Sequence, residues 1–350
     1  MALFRAKYYK KKPRYLGTAT PLSDARRQPA ATTIGNYALF GGGTYTGGST
    51  YYNTVDAYDI SLTRTLPTTL SEVKGFLAAT SVGNYALFGG GNSSYPNTYS
   101  SVVNAYNTSL TRTIITPLSA ERKNLAATSV GNYALFGGGT SATTYYRDTV
   151  DAYNTSLTRT TATSLSIERA FLAATSIGNY ALFGGGMSYG VFVYYYDTMD
   201  VYDTSLTKVT VSPLSVTRSY LTATSVGDYA LFGGGQNKNY CSTVDVYNNL
   251  LTKTTAASLS VERSYLASTS INGYALFGGG QTIDSTSQYA KVVNTVDIYD
   301  DSLVKARVMP LSVERSELTA ISINNYALFS GGYGGQNFDT LYDTVDVYTI

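Results

Sequence analysis

The 350-residue sequence contains no histidine, no tryptophan, a single cysteine (Cys241) and few charges, 14% of residues. Without histidine neither a Ser-His-Asp nor a Cys-His nucleophile can be assembled, and the commonest metal ligand is missing. A lone cysteine excludes an intrachain disulfide and gives no sign of an oxidising compartment. Long hydrophobic runs are lacking too. The opening MALFRAKYYKKK has no apolar stretch of the kind a secretion signal needs, and nowhere is there the run of about 18 apolar residues that crosses a bilayer. The expectation is cytoplasmic synthesis without a signal peptide or membrane span, and no cofactor.

What the chain has in abundance is repetition. The string YALFGGG, or a one-letter variant, occurs seven times, its tyrosines being Tyr37, Tyr85, Tyr133, Tyr180, Tyr229, Tyr274 and Tyr326. In the third copy residues 124 to 130 read as strand a, Gly131-Asn132 as a two-residue turn and Tyr133 to Gly137 as strand b. Val150 to Tyr153 then alternate as strand c, and Leu157 to Thr161 form strand d after a turn. Strands a and b carry small or apolar residues on both faces, as strands sandwiched between neighbours do, whereas strand d carries Arg or Lys and suits a solvated perimeter. Four antiparallel strands per unit and seven units predict an all-β, seven-bladed β-propeller forming one domain over residues 13 to 350.

The spacing also predicts how the ring closes. From the start of strand c to the last glycine of the following unit the count is always 38 residues, so length variation is confined to the segment between strands b and c. That pattern fits a scaffold with tolerant surface loops, because a one-residue slip within a strand would turn its core face outward. The last unit stops after strand c, at Thr344 to Ile350. The missing strand d is therefore expected near Tyr15 to Thr20, completing the blade that begins at Leu318 and leaving no open sheet edge.

These residues resemble the kelch repeat family. The resemblance covers residues 13 to 350 and rests on the paired glycines after an apolar strand, on the tyrosine ending strand c (Tyr58, Tyr106, Tyr153, Tyr202, Tyr247, Tyr299, Tyr348), and on a basic residue ahead of strand a. It implies a propeller and says little about function. Kelch repeats usually place a tryptophan on strand d; here Arg64, Arg112, Arg159, Lys208, Lys253 and Lys305 stand near that position. The copper centre of kelch-fold oxidases needs two histidines and a tyrosine joined to cysteine, which this composition forbids. The wording of the repeat is also similar to kelch-like proteins of Firmicutes and their phages.

Three sets of residues are candidates for binding. The first is the basic position before strand a: Arg26, Lys74, Arg122, Arg169, Arg218, Arg263 and Arg315. Its structural reading is an ion pair with the preceding glutamate, present as Glu121, Glu168, Glu262 and Glu314; its functional reading is a ring that receives an acidic ligand. Asp56, Asp151, Asp200, Asp245, Asp297 and Asp346 on strand c, with Asn104 in the second unit, are expected to pair with the cations of strand d.

The second set is the variable b-to-c segments, which hold 15 of the 34 tyrosines. Tyr51, Tyr52, Tyr145, Tyr146, Tyr194, Tyr195, Tyr196 and Tyr289 lie there among Ser, Thr, Gly and Asn. This is the composition of a paratope, and it suits a protein or a cell-surface glycan; the competing reading is that the rings cap the loops against the blades.

The third is the arm, residues 1 to 12, with Arg5, Lys7, Tyr8, Tyr9, Lys10, Lys11 and Lys12 and no acid. Cations interleaved with aromatics fit single-stranded nucleic acid. Anchoring to a protein assembly is favoured, because the remaining chain carries 20 basic against 23 acidic residues and offers no basic path to continue. The resulting expectation is a non-catalytic binding or structural propeller in a phage or phage-like particle, as a decoration, tail or host-attachment component. An intracellular adaptor for an acidic peptide and a glycan-processing enzyme are the alternatives.

Overall fold

The computed structural model describes residues 11–45, 50–93, 98–142, 145–284, 287, 289–335 and 338–350. Every regular element among them is a strand, and seven four-stranded antiparallel sheets form a seven-bladed β-propeller. The third blade comprises Ala126–Val130 (strand a), Tyr133–Gly137 (b), Val150–Asn154 (c) and Arg159–Ala162 (d), paired in that order. Strand a of each blade contacts strand a of the next, and the last contacts the first, so the a strands surround the axis.

The repeated glycines are what let the blades approach one another. A β-carbon on Gly137 would stand 2.9 Å from Cε1 of Phe183 in the next blade, and one on Gly138 would stand 2.6 Å from the carbonyl oxygen of Arg169. Those Phe rings, fully buried, also meet the strand c tyrosine of their own blade edge to face; Phe136 and Tyr153 are 6.0 Å apart at 88°. The core consequently lies between blades. One cluster joins Leu39, Val55 and Ala57 of the first blade to Phe88 and Tyr106 of the second. Burying a residue of the size of Leu or Phe stabilises by roughly 1.5–3 kcal/mol, so each inter-blade seam is a substantial term.

The closing strand lies where the spacing placed it. Arg14–Thr18 pairs with Val345–Thr349, with Tyr15 opposite Tyr348 and an irregularity at Leu16 before Gly17. Across the seam Leu22, Ala38 and Phe40 pack on Leu328, Val345 and Val347.

Three expectations are corrected. Strand a starts at Ala126 rather than residue 124, because Asn124 has a left-handed backbone (φ 56°) and bonds to neighbouring blades instead of strand b. Strand d covers Arg159–Ala162, since Leu157 (φ 61°) still belongs to the turn capped by the Asn154 side chain. The b-to-c segments are partly regular: small hairpins form in the third, fourth, sixth and seventh blades, such as Met187–Tyr189 with Val193–Tyr195. Among the described residues no helix is long and apolar enough to cross a membrane.

Candidate functional site: the axial mouth and its aromatic rim

Each blade is entered through a linker from the preceding strand d, and the repeated basic residue fixes that linker in place. The Arg122 Nη2 atom donates to Asp151 Oδ2 at 2.7 Å and to the Phe136 carbonyl at 3.0 Å, and both side chains are fully buried. The same pair recurs as Arg26–Asp56, Arg169–Asp200, Arg218–Asp245, Arg263–Asp297 and Arg315–Asp346. The second blade changes both partners: Lys74 replaces arginine, Asn104 replaces aspartate, and the Lys74 ammonium donates to the Val102 carbonyl at 3.0 Å.

This arrangement overturns the ring of free cations. The side chains of Arg122, Arg169, Arg218 and Arg263 are inaccessible to a ligand in solvent, and their partner is the aspartate of strand c rather than the neighbouring glutamate. The guanidinium is buried in the blade, whereas Glu168, Glu262 and Glu314 beside it in sequence are exposed. The expected pairing of these aspartates with strand d is present as a second contact, longer than the first for Arg159 on Asp151 (3.8 Å) and shorter for Lys208 on Asp200 (2.7 Å against 2.9 Å from Arg169).

Two residues after each buried cation, the chain turns toward the axis in a left-handed conformation. The φ angles there lie between 52° and 58° at Gln28, Phe76, Asn124, Phe171, Tyr220 and Tyr265, and at Glu317 in the seventh blade. Successive members are joined by backbone bonds running around the axis: Asn124 N–H donates to Phe76 O, Phe171 to Asn124, Tyr220 to Phe171, Tyr265 to Tyr220, Glu317 to Tyr265 and Gln28 to Glu317, at 2.8–3.1 Å. A left-handed backbone costs a non-glycine residue roughly 1–2 kcal/mol, a strain that persists only when its surroundings impose it. This girdle encloses the mouth of the axial channel, a cavity of about 230 Å³. Beneath it the channel wall is made of small residues from the a strands, such as Ala31, Ala79, Ala127 and Ala174.

The mouth differs from blade to blade in chemistry although its backbone repeats. Phe171, Tyr220 and Tyr265 form an arc of rings, with centroids 4.5 Å apart for the first pair and 4.3 Å, nearly parallel, for the second. Burial drives the Tyr265 hydroxyl far above the usual phenol range, helped by the adjoining Tyr220 hydroxyl, to which it is hydrogen-bonded. On the other side Glu317 is nearly buried. Burial raises its carboxyl to about 7 against the pull of Arg27, whose Nη1 is 3.2 Å from Oε2. Glu317 Oε2 is thus held by Arg27, whereas the buried Gln28 Oε1 has no hydrogen-bond partner. Lys123 lies over the Phe76 ring at 5.4 Å and the Tyr99 ring at 5.0 Å.

Around the mouth stand the b-to-c segments. The most exposed aromatic side chains among the described residues, Tyr45, Tyr145, Tyr189, Phe192, Tyr194 and Tyr289, all lie in these segments. Within the candidate set, Tyr145, Tyr194 and Tyr289 face solvent, while Tyr51, Tyr52, Tyr146, Tyr195 and Tyr196 are half-buried. Several of the latter hold loop structure: the Tyr196 hydroxyl lies 2.7 Å from Ser188 Oγ, and Tyr51 bridges to Thr44. The fourth-blade hairpin projects furthest in apolar character, with Val191 at 85% and Phe192 at 68% exposure.

Of the basic arm, Lys11 and Lys12 are described and lie with Arg14 and Ile350 around a cavity of about 430 Å³. Arg5, Lys7, Tyr8, Tyr9 and Lys10 lie outside the described residues. The mouth itself was missed by the repeat pattern, because its seven positions are spread over five residue types: two Phe, two Tyr, and one each of Gln, Asn and Glu. Their disagreement between otherwise matching linkers (Gln28, Asn124, Tyr220, Glu317) was the available signal.

No protein-family profile matches the chain, and no curated protein matches it. Among solved structures 608 chains are similar. One is the structure of YjhT, with a TM-score of 0.61 and 11% identity, covering 94% of this chain and 99% of that one. At that identity the likeness concerns the fold alone.

Proposed function

We propose that this chain is a non-catalytic, kelch-like binding propeller that takes a protein or glycan partner on its axial-mouth face and is anchored to a larger assembly by its basic arm. The observation that carries this reading is the opposition of the two features. Thr18 pairs with Asp346 near the b-to-c end of the closing strand, whereas Arg14 pairs with Thr349 at the far end, so Lys11 and Lys12, which line a cavity with Arg14 and Ile350, lie on the face opposite the aromatic rim. A component that is held by one face and reads a partner with the other needs this polarity. The repeated acids of strand c support a binding rather than a hydrolytic role, since Asp56, Asp151, Asp200, Asp245, Asp297 and Asp346 are all tied to buried arginines. The similarity of the repeat to kelch-like proteins of Firmicutes phages points to a virion or virion-like particle as the setting.

The test compares two surface variants of the full chain on a glycan array and against isolated host-envelope proteins. Phe192→Ser with Tyr194→Ser removes the two exposed rings of the fourth-blade hairpin's second half; Leu250→Ser, 80% exposed in a c-to-d turn on the opposite face, is the control. Binding is expected to fall at least tenfold in the rim variant and to be retained in the control. Equal binding by the rim variant would place the partner elsewhere. Deleting residues 1 to 12 should leave a folded propeller that no longer enters its assembly.

A further inference from the structure

We infer that the fourth-blade hairpin is a self-association edge: its outer strand, Val193–Tyr195, pairs antiparallel with the same strand of a second copy of this chain, about a two-fold axis at Tyr194. This goes beyond the partner proposed for the axial face and does not rest on it.

The edge is open. Within the hairpin Met187, Ser188 and Tyr189 stand opposite Tyr195, Tyr194 and Val193, and the sheet has no third strand. The inner strand is occupied on its other side, because Met187 exchanges both backbone bonds with Ala170 of the linker. The Gly190 N–H donates to the Phe192 carbonyl at 3.0 Å, and the Tyr196 N–H donates to the Gly186 carbonyl at 2.9 Å. Bonded and non-bonded pairs alternate along an antiparallel ladder, so Ser188 and Tyr194 are the bonded pair between these two, and the backbone groups of Val193 and Tyr195 point out of the hairpin. Among the described residues no backbone bond from outside the hairpin reaches them.

The edge is also unguarded. Proteins blunt an exposed edge strand with charge, above all with lysine, or keep it very short. The sixth-blade hairpin has Lys291 in the middle of its outer strand. The third and seventh have outer strands of two residues, Tyr145–Tyr146 followed by Arg147 and Thr340–Leu341 preceded by Asp339. The fourth uses neither device: 187–196 contains no charged residue, and Tyr189 to Tyr194 are exposed in succession.

The side chains of this strand are complementary to themselves. With the two-fold axis at Tyr194, Tyr194 faces Tyr194 of the second copy, Val193 faces its Tyr195 and Phe192 faces its Tyr196. Each is an aromatic–aromatic or aromatic–β-branched pair, the combinations that stabilise antiparallel neighbours, and none brings like charges together. The outward groups of Val193 and Tyr195 then serve as each other's donors and acceptors, and two hairpins merge into one four-stranded sheet. The exposed stretch is short beside the roughly 20–30 residues a side of a standard interface, so the dimer is reversible rather than permanent.

Sedimentation of the full chain from micromolar to millimolar concentration tests this, and a monomer–dimer equilibrium is expected. Tyr194→Lys sets two ammonium groups opposite each other and should weaken the dimer at least tenfold, whereas Tyr194→Phe should keep it. Across the non-bonded pair at the axis the Cα atoms lie about 4.5 Å apart, within disulfide reach, so Tyr194→Cys should cross-link two chains under mild oxidation. Tyr189→Cys, exposed on the inner strand, and the unmodified chain with its buried Cys241 should cross-link far more slowly. Unchanged melting temperatures of the monomeric forms show that the variants fold. The inference is overturned if the chain stays monomeric throughout the range, if Tyr194→Cys cross-links no faster than Tyr189→Cys, or if Tyr194→Lys associates as the unmodified chain does; a strictly monomeric chain leaves the edge to a strand of another protein.

Discussion

The hydroxyl of Tyr15 donates to Asp346 Oδ1 at 2.7 Å, joining residues 331 positions apart. By its register with Tyr348, Tyr15 holds the place that Arg64 holds opposite Tyr58 and Arg112 opposite Tyr106. The blade that closes the ring thus supplies its buried aspartate with a second partner of neutral rather than cationic chemistry. Burial, reinforced by Asp346, raises the Tyr15 hydroxyl to about 12, so it remains a donor across the physiological range.

Tyr15→Phe should therefore lower unfolding free energy by about 1–2 kcal/mol, the cost of taking a hydrogen bond from a largely buried carboxylate. Tyr15→Lys restores the residue type of the fourth, fifth and sixth blades and should lose less. Urea unfolding measures both. Deleting residues 13 to 20 opens a sheet edge and should produce aggregation rather than a shifted midpoint.

Charge reversal at the repeated cation should unfold the protein instead of abolishing binding alone. Arg122→Leu leaves Asp151 without its main partner and should cost about 3–5 kcal/mol, the scale for breaking a buried pair from one side. Arg122→Lys together with Asp151→Asn copies the second blade and should cost clearly less than Arg122→Leu. Equal losses in the two variants would contradict the role given to this pair.

The repeat made the blades, their b strands and the seam legible, because those features recur with a constant count. The partner of Arg122 was not legible: Glu121 adjoins it in sequence, whereas Asp151 reaches it only after strand c folds back across the blade. The mouth escaped for the opposite reason. Asn124 and Tyr220 occupy one backbone position with unrelated side chains, and the left-handed turn that aims them at the axis has no glycine to announce it.

Lys74 offers a pH test. Burial lowers its ammonium to about 8 from 10.5, with Glu72 opposing, because Asn104 gives it no carboxylate. Between those values the unfolded chain holds the proton more tightly than the folded one, so this group makes stability rise as pH climbs from 8 to 10.5. Asn104→Asp should pair the amine and remove that rise. Thermal melts at four pH values across the window suffice to see it.

Glu317 should act with the opposite slope. Its carboxyl is raised from 4.5 to about 7, so the folded state holds the proton more tightly, and the group's contribution fades as pH rises from 4.5 through 7. In Glu317→Gln that part of the pH dependence should vanish, with the remaining profile unaltered.

The central claim is that a partner is read on the axial face and the arm's face is left for attachment. Amide hydrogen exchange with and without the best array ligand tests it most directly. Protection is expected at 187–196 and at the girdle amides of Asn124, Phe171, Tyr220, Tyr265 and Glu317. Protection confined to the a-to-b and c-to-d turns, such as 131–132 and 249–251, with the girdle unchanged, would contradict the account.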